Sequence, residues 1–72
     1  MKKIKKIKIR VNGKVKSFQE KVSLLKLVRS LKIPIKKVAI ELNGEIVDKK
    51  KMKNLFLKKS DKIEIVHFIG GG

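Results

Sequence analysis

The chain closes with Val66-His67-Phe68-Ile69-Gly70-Gly71-Gly72, an apolar run that leads directly into three glycines. At a glycine frequency of about 7%, three together at a chain end arise by chance in roughly 0.03% of chains. Glycine has no Cβ, so such a backbone can enter a slot too narrow for any side chain. The group at its end is a carboxylate. The chemistry on offer is therefore main-chain chemistry at Gly72, presented on a flexible glycine tail, residues 70–72. A glycine-rich end also serves as plain linker, and only the sequence upstream separates the two uses.

Side-chain chemistry is sparse by comparison. There is no Cys, one His and six scattered Asp and Glu. No side chain can act as a thiol nucleophile or carry a persulfide, and neither a disulfide nor a thiolate metal site can brace the chain. His67 has no partner in its motif for acid–base work and is expected to be a surface or packing residue. The expectation is no catalytic side chain, no metal and no bound cofactor.

The elements that must hold such a tail follow from periodicity. Ile7, Ile9 and Val11 alternate with Lys6, Lys8 and Arg10, which is a strand with one wet face. Asn12-Gly13 is a strong type I′ hairpin signal, and Lys14 to Phe18 returns as a second strand. Val15 and Phe18 differ in parity, which suggests a bulge or bend. Ser23 caps a helix whose Leu24, Leu27, Val28 and Leu31 recur at helical spacing. Pro34 disfavours α geometry at Ile33 and ends that helix near Lys32. Val38 to Leu42 is a third strand, Asn43-Gly44 a second hairpin signal, and Glu45 to Val47 a short fourth strand. Asp48 to Lys53 is a charged connection, and Met52, Leu55 and Leu57 pin a long loop to the core. Ser60-Asp61 turns the chain into a last strand, Ile63 to Ile69.

Seventy-two residues make one small domain, residues 1–69, with a marginal core. The apolar fraction of 42% suffices for a globular fold. The order strand, strand, helix, strand, short strand, strand fits an α+β domain with a mixed four- to five-stranded sheet and one helix on one face. The crossover after the second strand can set the last strand parallel to the first in the middle of the sheet, locking Ile63 and Ile65 just before the tail. Val66 and Phe68, on the opposite parity, are candidates for a docking patch.

The formal net charge is +15, from 21 Lys and Arg against 6 Asp and Glu. That balance favours acidic partners, and nonspecific nucleic-acid binding is expected of a chain this basic. The start Met1-Lys2-Lys3-Ile4-Lys5-Lys6 has no apolar stretch of seven or more behind it, so secretion is not supported. No run reaches the 18 residues of a membrane span. A cytoplasmic protein without a membrane role is the expectation.

The capped helix from Ser23 through Leu31, the segment VAIELNGEIV at Val38 to Val47, and DKIEIVHFIGGG at Asp61 to Gly72 together resemble the thiamine-biosynthesis sulfur carrier (ThiS) family, with the β-grasp, or ubiquitin-like, fold. The family often has Pro-Arg after the short strand, where Asp48-Lys49 stands here, and Gly before the aspartate, where Ser60 stands. The resemblance implies that the chain is not an enzyme but a co-substrate. A ubiquitin-activating-type adenylating enzyme would convert the Gly72 carboxylate to an acyl-adenylate with ATP. A sulfur-donor protein would then supply a persulfide, leaving a thiocarboxylate that delivers sulfur to thiazole synthase. Gly70 and Gly71 would run with Gly72 in the partner's channel.

Two other readings follow from the same residues. Subunits that carry sulfur to molybdopterin, carriers for tRNA thiolation and ubiquitin-like protein modifiers share the Gly-Gly end. The molybdopterin subunits usually have prolines before the glycines, which Phe68-Ile69 lacks. A small basic nucleic-acid-binding domain is the reading of a different class. Charge favours it, and the aromatic content of three Phe with no Tyr or Trp does not.

Overall fold

The computed structural model describes residues 5–68. The first hairpin joins β1 (Lys6–Val11) to β2 (Lys14–Gln19). Its turn residues sit at φ +49 for Asn12 and φ +82 for Gly13, the left-handed pair that a type I′ turn requires. Register is continuous from Lys6 opposite Gln19 to Val11 opposite Lys14, so the expected bulge is absent. The parity difference has a simpler cause. β2 is an edge strand, and Phe18 turns toward the core opposite Ile7 while Val15 lies on the outer face opposite Arg10.

The helix α1 (Leu24–Ser30) starts as expected, with the Ser23 hydroxyl accepting from the Lys26 amide. It ends at Leu31, and Lys32 follows in the left-handed region at φ +59, so the stop lies in the backbone before Ile33 and Pro34 are reached. A short 3-10 turn, Ile35–Lys37, leads into β3 (Val38–Leu42). A second type I′ turn, Asn43 at φ +52 and Gly44 at φ +88, joins it to β4 (Glu45–Ile46). The charged connection is itself ordered, as a 3-10 helix, Lys49–Asn54, capped by the Asp48 carboxylate on the Lys50 amide. The sheet closes with β5 (Lys62–His67).

The strand order is β2-β1-β5-β3-β4. β5 is central, parallel to β1 and antiparallel to β3. Period two puts Ile9 and Val11, Val38 and Ile40, and Ile63 and Ile65 on one face. That face is covered by Leu24, Leu27 and Val28 of α1, by Met52 of the 3-10 helix and by Leu57, all buried. The long loop is thus pinned where the apolar residues punctuate it, with Leu55 packed at the margin. No polar or charged residue is buried among the described residues. In a domain this small, burial of this kind carries the stability, at about 1.5–3 kcal/mol per large aliphatic side chain.

Candidate functional site: the strand that carries the tail

β5 is held from both sides by the two hairpin turns. β1 turns away after Val11, yet its pairing with β5 continues through a side chain. The Ile65 amide donates to Asn12 Oδ1 at 2.7 Å, and Asn12 Nδ2 donates to the Ile65 carbonyl at 3.3 Å. The Asn12 amide donates to the Ile63 carbonyl at 2.9 Å. On the other side, the Lys62 amide donates to Asn43 Oδ1 at 2.8 Å, and the Asn43 amide donates to the Lys62 carbonyl at 2.7 Å. Asn43 Nδ2 also donates to Asp61 Oδ1 at 3.1 Å, while Asp61 Oδ2 accepts from the Lys58 amide at 2.7 Å. Each Asn thus serves twice, adopting the positive φ of its turn and satisfying a strand end with its amide.

Beyond Ile65 the strand emerges from the core. Val66 sits opposite Ala39 on the outer face and is 53% exposed, as is Phe68. His67 pairs with Val38 and is exposed. The Phe68 amide donates to the Lys37 carbonyl at 3.0 Å, which extends the antiparallel ladder one step past the strand. Lys49 Nζ lies 5.4 Å from the centre of the Phe68 ring, within cation–π range. Ile69, Gly70, Gly71 and Gly72, and with them the proposed reactive carboxylate, lie outside the described residues.

The structure adds a residue to the patch that periodicity alone missed. Ile46 is 78% exposed and sits directly opposite Glu41 in the β3–β4 pair. Glu41 is in turn opposite Glu64 on β5. Cross-strand partners share a face, so Ile46, Ala39 and Val66 lie on the outer face around two neighbouring carboxylates. The signal was present in the turn type. A two-residue Asn-Gly loop fixes Glu45 against Leu42 and Ile46 against Glu41, and Leu42 already faces the core.

Among the described residues no group of three or more His, Asp or Glu side chains is placed to hold a metal ion. No helix there is long and apolar enough to cross a membrane. What the described residues supply is a central strand paired on both edges, with exposed apolar side chains at its exit.

A mixed sheet with one helix across one face and a central last strand is the β-grasp class. The chain belongs to the ThiS family, whose model matches residues 9–72. It is 38% identical to the sulfur carrier protein ThiS of Bacillus subtilis over 65 residues, covering 89% of this chain and 98% of that one. It is 38% identical over 66 residues to a thiazole synthase of Paramagnetospirillum magneticum, and there it covers 92% of this chain but spans only 20% of the relative's length. The crystal structure of the thiamine biosynthesis protein ThiS from Geobacter metallireducens superposes with a TM-score of 0.81 at 30% identity, over 92% of this chain and 100% of that one.

Proposed function

We propose that this chain is a sulfur carrier for thiazole formation in thiamine biosynthesis, acting in the cytoplasm, with the Gly72 carboxylate as its working group. A carboxylate is a poor electrophile, because its charge repels nucleophiles and oxide is a bad leaving group. In the proposed cycle an adenylating enzyme of the ubiquitin-activating type joins that carboxylate to the α-phosphorus of ATP, and pyrophosphate departs. The terminal sulfur of a donor protein's persulfide attacks the acyl carbon, and AMP departs. A thiol then cleaves the resulting S–S bond, leaving a thiocarboxylate on Gly72 and a disulfide on the thiol side. Thiazole synthase receives the sulfur.

The observation that carries this reading is the family match running through the three glycines to residue 72. The Bacillus carrier of nearly the same length supports it. So does the thiazole synthase relative, which contains a segment resembling this whole domain. In this scheme the domain contributes presentation. Val66, Phe68 and Ile46 form the docking patch at the exit of β5, and Gly70 and Gly71 occupy the partner's channel because no side chain obstructs them.

The test is intact-mass analysis after incubation with ATP, an adenylating enzyme and a persulfide donor. One oxygen-for-sulfur exchange confined to the C-terminal peptide is expected. Equal loading of a chain whose Gly72 is amidated would overturn the proposal.

A further inference from the structure

The +15 charge is not spread evenly over the fold. Residues 21–40 and 49–60 together hold twelve Lys and Arg and no Asp or Glu, so all six carboxylates lie elsewhere. These two stretches contain α1 and the 3-10 helix Lys49–Asn54, which pack against each other. They form the layer covering the inner face of the sheet. Glu41 and Glu64, with Ile46 and Val66, occupy the outer face. Lys49 reaches round to the Phe68 ring of the proposed docking patch, and the helical layer supplies the rest of this charge.

This basic layer carries an aromatic ring that the core does not use. Phe56 is 58% exposed, yet its backbone is fixed. It bridges to Ser23, with the Leu24 amide donating to the Leu55 carbonyl at 2.8 Å and the Leu57 amide donating to the Val22 carbonyl at 2.9 Å. Leu55 and Leu57 turn inward, which leaves Phe56 and Lys58 turned outward. Lys53, Lys58 and Lys59 lie within three residues of it, and Lys26 is one turn along α1 from Ser23. Lys21, Lys58 and Lys59 line one surface depression beside it, together with Ile7, Leu57 and Glu20.

We propose that this helical layer binds single-stranded RNA, with Phe56 stacking on a base and the surrounding lysines contacting phosphates. Eleven of the twelve cations are Lys, which suits sequence-independent phosphate contact better than bidentate recognition of a protein carboxylate. The two stretches carry no carboxylate of their own, and acidic groups beside them include Glu20 at the depression and Asp48 at the start of the 3-10 helix. A held, half-exposed aromatic ring among point charges matches the way unpaired bases are bound. Duplex DNA offers no free base face to that ring.

The test is fluorescence anisotropy with a labelled oligouridine and the full chain. With five phosphate contacts, affinity should fall about a hundredfold between roughly 50 and 200 mM salt. The triple variant K53E/K58E/K59E should lose about thirtyfold in affinity, while K6E/K8E/K62E, with the same change in net charge on the outer sheet face, should lose less than about threefold. F56A should lose about tenfold with its salt slope unchanged. Thermal melts identify any variant that has lost its fold, and the remaining two then decide the matter. Equal losses for the two triple variants would reduce the effect to net charge and overturn the proposal, as would wild-type affinity in F56A or no binding at the lower salt.

Discussion

Asn12 and Ile65 are 53 positions apart in the chain, and the side-chain amide of one closes both backbone hydrogen bonds of the other. The carboxamide stands in for a residue of β1 that is no longer there, because the chain has already entered its turn. The central strand therefore stays paired on both edges up to the point where its side chains reach the surface. Replacing Asn12 by Gly separates this role from the turn, since Gly also accepts φ +49. N12G should lose about 1–2 kcal/mol of stability, as expected for two hydrogen bonds. Urea titration should show a lower midpoint with an unchanged m-value. A variant as stable as the parent would mean that the clamp contributes nothing.

Ser60 adopts φ +71, in the left-handed region that favours Gly. A left-handed conformation costs a residue with a Cβ about 1–2 kcal/mol. Glycine removes that cost, though its freer unfolded chain offsets part of the gain. S60G should therefore stabilise the domain by about 0.5–1 kcal/mol, raising Tm by about 4 °C. The Ser60 amide, which donates to the Lys8 carbonyl at 2.9 Å, is kept in this variant. Calorimetry showing a lower Tm would contradict the strain assignment.

Met52 is fully buried although its neighbours on both sides are lysines. It joins the charged connection to the core beneath α1. M52A should destabilise by about 2–5 kcal/mol, a large share of the roughly 5 kcal/mol that a small domain holds. Chemical denaturation gives the value directly. A loss below about 0.5 kcal/mol, the range of surface substitutions, would show that this segment is not part of the core.

Ile46 is the most exposed large apolar residue described, and its packing contribution is correspondingly small. I46D should leave stability within about 0.5 kcal/mol of the parent. In the loading assay it should raise KM for the adenylating enzyme about tenfold, as removal of an interface anchor does. Unchanged kinetics would remove Ile46 from the docking patch.

These residues show what could be read in advance. β1 and β3 have the bounds their alternation gives, and both Asn-Gly pairs make the turns their backbone preference dictates. The central position of β5 followed from one crossover. The 3-10 helix Lys49–Asn54 escaped because Met52 is its sole apolar residue, and one apolar residue defines no period. The helix ends near Lys32 as expected, and only the means escaped, because positive φ at a lysine has no compositional marker. The clamps of Asn12 and Asn43 escaped for a different reason. The turn already accounted for each Asn, and nothing local indicates that its amide is used again on a strand 19 to 53 residues away. The exposure of Val66 and Phe68 was legible in their parity, and that of Ile46 needed the register of the second turn.

The central position of β5 has a mechanical consequence. A partner that draws on the chain beyond Phe68 pulls along the axis of this strand, with β1 on one side and β3 on the other. The hydrogen bonds on both flanks then bear the load in shear and must break together, because no edge is available from which they could be peeled one at a time. Traction beyond Phe68 is thereby resisted by the whole sheet, so the partner enzyme of the proposed cycle would draw on the chain without unravelling the body that delivers it.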